Sequence, residues 1–318
     1  MTYLNYKFGF RLAPLIRKVL IVGLFTLSTI SFSYAEEISG ESLDLFSVGF
    51  VAQDLALAEA TASYSENNFA AFYNPSTLPD VKIFRFFSLQ GKLSESVDVF
   101  SVTTLFSVIG LPISLSWVQI QASDIPLVAS ENVDQNTDLE PDSVSDYGAE
   151  GLIAATSLNL NNSIHLGLSA IAYLKRLDTV SEGNAYGLSL TPGVYIKALP
   201  TLDLGIYCRN LYSYEKWATT FEDQFLPEWH VGLTYSTPYL KLMLEEVIYP
   251  DLKYSVESKV GLSITLIKNV VIRCGFQNTN TNAGIGINVE GVYIDYAFIG
   301  SSENRLGESS RFSIGVEL

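Results

Sequence analysis

The sequence predicts an all-β fold, a transmembrane antiparallel β-barrel of about fourteen strands, preceded by a short segment that contains a helix. Three observations predict it. From Val81 to the end, segments of roughly ten residues alternate apolar and polar side chains. Short and long connections alternate between those segments after the third one. The last segment carries the alternation to the final residue, Leu318.

Residues 1–35 read as an export signal rather than as part of the fold. Lys7, Arg11, Arg17 and Lys18 form a basic stretch without an acid, and Val19–Phe32 is an apolar run. Ser33-Tyr34-Ala35 offers small residues at the two positions a signal peptidase reads. That run is too short to cross roughly 30 Å of hydrocarbon as a helix. The mature chain is expected to begin near Glu36.

Hydrophobic residues make up 48% of the chain and charged ones 17%, below the roughly 25% of soluble domains. No later stretch offers the roughly 20 unbroken apolar residues of a membrane helix. Apolar residues diluted by Ser, Gly, Thr and Asn fit strands with one oily and one wet face. The charge balance is 19 Lys+Arg against 34 Asp+Glu, and removing the four basic residues of the signal leaves 15 against 34, or −19. Such a surface repels phosphate, so nucleic acid is not expected as a partner, and the barrel reading makes outer-membrane lipid the expected surroundings. Cys208 and Cys274 lie on the apolar faces of their segments and are expected as two unpaired lipid-facing thiols, with a disulfide as the alternative.

The fourteen segments are approximately 81–90, 97–107, 112–122, 148–159, 163–174, 184–197, 202–213, 228–236, 239–249, 255–266, 270–277, 281–289, 291–300 and 308–318. In 256–266, Val256, Val260, Leu262, Ile264 and Leu266 oppose Glu257, Lys259, Gly261, Ser263 and Thr265. In 281–289, Ala283, Ile285, Ile287 and Val289 oppose Gly284, Gly286 and Asn288. Period two is a strand signature. Short links fall at 160–162, 199–201, 237–238, 267–269 and 290–291; longer ones fall near 123–147, 175–183, 214–227, 250–254, 278–280 and 301–307. Bacterial outer-membrane barrels sort their connections this way, with short periplasmic turns and longer external loops.

Residues 36–80 lack the strand pattern. Asp54–Ala62 predicts a short helix capped by Asp54. It is followed by Glu66-Asn67 and by Tyr73-Asn74-Pro75-Ser76-Thr77-Leu78 just before the first strand. Pro75 fixes its own φ and turns Asn74 away from helical conformation, which makes a stiff corner there. These residues resemble the start of the FadL-like outer-membrane transport superfamily, especially its PorV/PorQ branch. Tyr73, Asn74, Pro75 and Leu78 match that motif, whereas Ala56-Leu57-Ala58-Glu59 and Thr77 replace glycines expected in the family. The resemblance implies fourteen strands, with residues 36–80 folded into the lumen of barrel 81–318 as a plug, or hatch.

Three features are candidates for a pathway. Pro192 and Gly193 interrupt the sixth segment; they read as a bulge, with a lateral gap in the wall as the functional alternative. Arg209, Lys241, Glu245, Glu257, Lys259, Arg273, Asp295, Arg311 and Glu317, with His165 and His230, fall on the lumen-lining face, where mixed signs predict internal pairing. Asp134, Asn136, Asp138, Glu140 and Asp142 space oxygen ligands as a calcium loop does, but Leu139 stands where the sharp turn needs glycine, so a solvated acidic loop and no metal site are expected, with weak divalent binding at the cell surface as the alternative. Enzymatic signals are poor, with no nucleophile motif and no cofactor motif. The resemblance implies passive transport of a hydrophobic small molecule across the outer membrane. The alternatives are a type IX-type secretion component that binds secretion-system proteins and, third, an outer-membrane hydrolase.

Overall fold

The computed structural model describes residues 49–65, 67–94, 97–127, 143–178, 183–218, 222–250, 255–278, 280–300 and 309–318. Residues 1–35, read from the sequence as an export signal, Glu66 and the candidate calcium loop lie outside the described residues.

The strands are β1 (Phe84–Ser94), β2 (Val97–Val108), β3 (Leu111–Leu127), β4 (Ser143–Asn159), β5 (Ile164–Leu177) and β6 (Asn184–Leu199). They continue with β7 (Leu202–Arg209), β8 (Tyr212–Trp217), β9 (Glu222–Asp223), β10 (Glu228–Ser236) and β11 (Leu240–Tyr249). The last are β12 (Ser255–Ile267), β13 (Val270–Gln277), β14 (Asn280–Val289), β15 (Val292–Ile299) and β16 (Ser309–Glu317). From β1 to β7 and from β10 to β16 each strand pairs antiparallel with the next, β1 pairs with β16, β7 pairs with β10, and β8 pairs with β6 and β9. The result is a closed barrel of fourteen wall strands, in which β7 and β8 are two parts of one bent strand and β9 is a short addition. Closure leaves no free edge along the ring, the condition for crossing a bilayer with strands.

Alternation sets the two faces. On β10, Trp229, Val231 and Tyr235 are exposed while His230 and Thr234 are buried. On β16, Phe312 and Ile314 are exposed while Arg311 and Ser313 are buried. Because the lumen is filled, its side chains are shielded, and the outward apolar belt needs hydrocarbon to cover it. Both thiols are free; Cys274 is half-buried on that outer face, whereas Cys208 is buried despite its outward register.

Six tight connections gather at one end of the barrel, between β2 and β3, β4 and β5, β6 and β7, β10 and β11, β12 and β13, and β14 and β15. Two of them are two-residue turns with left-handed backbone at both positions, Ile109-Gly110 and Glu290-Gly291. That geometry follows the strand twist, and glycine accepts it at the second position. Chain length is not strictly sorted at the other end, because only residues 278–279 separate β13 from β14 there. Strands β3 and β4 run 17 residues each, well beyond the roughly 10 needed to cross a bilayer, so the wall rises higher on that side.

Residues 49–80 lie inside the barrel. The helix α1 is one turn, Ala52–Leu55, and is followed by two 3-10 turns, Ala70–Phe72 and Pro75–Thr77. The longer helix anticipated over Asp54–Ala62 does not form. Ala58 and Glu59 take left-handed backbone with φ of 52° and 58°, which turns the chain out of the helix to follow the curved wall. Asp54 sits within the turn rather than at its cap, and its carboxylate accepts from Asn67 Nδ2 at 3.1 Å.

Deleting residues 309–318 removes the strand that joins β1 to β15 and exposes two edges. The truncated protein is expected to lose the compact, heat-modifiable band of a folded barrel on an electrophoresis gel.

Candidate functional site

The plug approaches the wall with its backbone. It passes the wall strands in reverse order, from Ala56 beside β14 to Ser76 beside β5. At each approach the wall carries glycine: Gly284, Gly275, Gly261, Gly232, Gly205, Gly193 and Gly167. Six of these form cross-strand pairs, Gly167 with Gly193, Gly205 with Gly232 and Gly261 with Gly275. A methyl group at Gly205 would overlap the Ala62 carbonyl, and one at Gly193 would overlap the Asn74 carboxamide. The contact surface is therefore missing side chains where the plug needs room.

Asn74 fixes the corner. Its Nδ2 donates to the Ala62 carbonyl at 2.7 Å and to the Val194 carbonyl of β6 at 3.3 Å, while its Oδ1 accepts from Ser76 N–H at 3.1 Å. Pro75 opens the 3-10 turn that follows, and the buried Leu78 closes it by donating its N–H to the Pro75 carbonyl. Tyr73 donates its hydroxyl to Glu59 at 2.9 Å. All four motif residues are buried in the plug corner.

Pro192 and Gly193 sit in an unbroken ladder with β5, facing Leu168 and Gly167. The irregularity lies on the opposite edge. There the register jumps from Gly193↔Tyr207 to Leu190↔Tyr212, so residues 208–211 of the bent strand face only Thr191 and Pro192. Pro192 has no N–H to offer, and a bulge asks for none. Asn210, at φ 54°, makes the bend and accepts from Ser189 Oγ at 2.6 Å.

Beyond the bend, the wall strands separate. β7 pairs with β10 as far as Arg209↔Glu228, and β8 pairs with β9 from Glu215↔Asp223. Among the described residues, no backbone ladder joins 210–214 to 224–227. Ser213 Oγ bridges that interval, accepting from Phe225 N–H at 2.8 Å and donating to the Phe225 carbonyl at 3.0 Å. Phe225 packs on Tyr173 with ring centroids 5.6 Å apart, and Leu211, Tyr212 and Leu226 are exposed around the interval.

The lumen has two sides. Over β1–β5 its lining includes Leu89, Val99, Val118, Ile120, Ile153 and Ile171, all in one buried cluster with Phe50 and Phe72 of the plug. Phe50 and Phe72 stack at 5.9 Å. Over β7–β16 the lining is ionic. Arg273 pairs with Asp295 at 2.6 Å, Arg209 with Glu228 at 3.3 Å and Lys259 with Glu59 of the plug at 3.6 Å. Lys241 lies 4.4 Å from the Tyr64 ring centroid, and Glu257 accepts from Gln277 Nε2 and Asn278 Nδ2, each at 2.8 Å. Toward the loop end, Lys175 pairs with Glu215 at 2.7 Å, both nearly fully buried. The sequence pattern proposes lumen positions for Arg209, Lys241, Glu257, Lys259, Arg273 and Asp295, of which Arg209, Lys259, Arg273 and Asp295 are buried and Lys241 and Glu257 half-buried. It misses Glu59, Lys175, Glu215 and Glu228, whose partners lie on other elements, and it misses the apolar side altogether. A cavity of about 270 Å³ opens at the turn end, lined by Asp80, Arg85, His165, Tyr195 and Lys197 among others.

No family model and no curated protein matches this chain. Solved structures do. The toluene transporter TbuX of Ralstonia pickettii superposes with a TM-score of 0.64 at 11% identity, covering 85% of this chain and 98% of that one. The Pseudomonas putida toluene transporter TodX gives 0.62 at 10% identity, covering 84% and 96%. A FadL homologue of Pseudomonas aeruginosa gives 0.57 at 10% identity, covering 84% and 98%. The chain therefore has the fold of these transporter barrels, while nothing in the likenesses singles out the PorV/PorQ branch.

Asn74→Ala is expected to lower barrel stability by about 1–3 kcal/mol, because it strips a buried carbonyl of its donor. The check is the midpoint of heat-induced unfolding in detergent. Gly205→Leu should displace the plug outright, exposing residues 49–80 to protease in a barrel that remains closed. The outward Ile206→Ala should leave the plug protected.

Proposed function

We propose that the chain is an outer-membrane barrel that passes uncharged hydrophobic small molecules passively, without catalysis or cofactor. The observation that carries the reading is the two-sided lumen. Most of its ionic groups are paired with one another, while an apolar contact seam joins plug aromatics to the wall strands β1–β5. A neutral apolar cargo gains free energy along that seam and displaces no ion pair. The short turns face the periplasm and the tall wall faces the cell exterior, as in bacterial barrels. Residues 1–35 direct export.

Cargo enters at the tall end and meets Phe50 and Phe72. It leaves sideways where 210–214 and 224–227 are held by the Ser213–Phe225 bridge in place of a backbone ladder. Leu211, Tyr212 and Leu226 offer an apolar margin there for transfer into lipid. On this reading the lateral gap lies one strand interval away from Pro192 and Gly193, on the far side of the bulge that Pro192 faces. Monoaromatic hydrocarbons, named for the structural neighbours, define the size class to test first. The secretion reading rests on Tyr73, Asn74, Pro75 and Leu78, which are engaged here within the plug corner.

The test locks the bridge. Ser213→Cys with Phe225→Cys, in a background with Cys208 and Cys274 replaced by Ser, is expected to cut uptake of labelled toluene by cells or proteoliposomes about tenfold on oxidation, with recovery on reduction. Unchanged uptake in the oxidised protein would reject this exit.

A further inference from the structure

The turn end of the barrel is apolar where a rim set in water would be polar. Ile109 in the β2–β3 turn is 99% exposed, and Leu160, Tyr239 and Ile267 at three further turns are 55%, 72% and 65% exposed. Leu199, the last residue of β6, is exposed as well. The sixth turn, Glu290-Gly291, has no such tip, and the exposed Val289 and Val292 flank it. Ile109 also takes left-handed backbone, at φ 52°, which branched side chains avoid and which Asn, Asp or Gly accepts at that position. Neither water nor backbone geometry selects isoleucine there, whereas an apolar surround does.

Wall height gives an independent reason. Strands β7, β13 and β15 are eight residues long. At ~3.3 Å per residue and a tilt of roughly 40°, eight residues rise about 20 Å, short of an apolar band about 25 Å tall. At the loop end β13 runs into Gln277 and Asn278, which are polar. At the turn end its first residue, Val270, pairs with Ile267, beside the exposed Leu266. The apolar surface is thus prolonged at the turns.

The turns also occupy their own polar groups. The carbonyls of Thr201, Tyr239 and Asn269 accept the N–H groups of Ser236, Thr265 and Asn288, each at 2.9 Å, which joins neighbouring turns sideways. Asn161 Oδ1 accepts from Ser163 and Ile164 N–H at 2.8 and 3.0 Å. Backbone satisfied in this way tolerates an apolar surround.

We propose that the turn end is a lipid-docking surface: Ile109, Leu160, Leu199, Tyr239 and Ile267 sit among acyl chains just beneath the headgroups of the periplasmic leaflet. The surface is continuous with the outward apolar belt through Leu158, Leu266 and Val292. Lys268, exposed beside Ile267, has an aliphatic stem long enough to keep its ammonium at headgroup level. The inference rests on the outer-membrane setting and not on what the cargo is.

The test is the depth of a spin label. Ile109→Cys, Tyr239→Cys and Ile267→Cys, each in the full-length protein with Cys208 and Cys274 replaced by Ser, are labelled with a nitroxide and reconstituted into vesicles of phosphatidylethanolamine and phosphatidylglycerol. Ile285→Cys reports the belt, and Asp98→Cys, an exposed site at the loop end, reports water. Each label is read for collision with oxygen, which enters the bilayer, and with a nickel chelate, which stays in water. The oxygen-to-nickel ratio at the turn labels is expected within about threefold of that at Ile285 and about tenfold above that at Asp98. Nickel access equal to that at Asp98, with Ile285 shielded, overturns the proposal and leaves the turns in water, within reach of a soluble partner. Nickel access at Ile285 as well overturns it together with the membrane setting. Three turns are labelled, so misfolding of one variant leaves the result readable.

Discussion

The plug and the wall meet backbone to side-chain-free surface, and the rest of the lumen is arranged around that contact. A barrel of fourteen strands has an interior too wide for its own side chains to fill. Here the interior is filled by residues 49–80, and the polypeptide fits because the wall facing it carries glycine on seven strands. Close approach brings plug carbonyls and amides within reach of wall side chains. Glu245 takes the Ala62 amide, Asn282 donates to the Leu55 carbonyl at 2.8 Å, and Ser169 donates to the Ala71 carbonyl at 2.8 Å. A chain without regular structure thereby satisfies its backbone inside a membrane protein, which the bilayer setting demands.

The same contact explains which parts of the fold are legible in the sequence. The wall strands are, because a bilayer on one side and a filled lumen on the other impose period two, and the observed strands follow the fourteen alternating segments, with β3 and β4 running five residues beyond theirs. Turns such as Glu290-Gly291 are legible because left-handed backbone selects their residues. The plug is not. Its shape is dictated by the wall rather than by local propensity, so Asp54–Ala62 reads as helix and folds as a turn followed by two left-handed residues. Gly261, Gly284 and their neighbours read as lumen positions, but nothing local shows that each receives a stretch of plug.

Pairing across the lumen is hidden for a related reason. Lys175 and Glu215 meet only through the register of β5 and β8 on either side of β6, and Lys259 and Glu59 only through the path of the plug. The bend at Asn210 is equally obscure. Pro192 points to the correct neighbourhood, yet the extra residues lie in the strand opposite it, where no proline marks them. Such bends are read from register, and register needs the partner strand.

What unites these features is a barrel filled at its centre, apolar along one side and largely ion-paired along the other. The most direct measurement of that account is a crystal structure of the protein soaked with a brominated monoaromatic compound, read by anomalous scattering. The account predicts bromine density in the lumen, between Phe50 or Phe72 and the β1–β5 lining. Density confined to the outward apolar belt, with the lumen seam unoccupied, would contradict it.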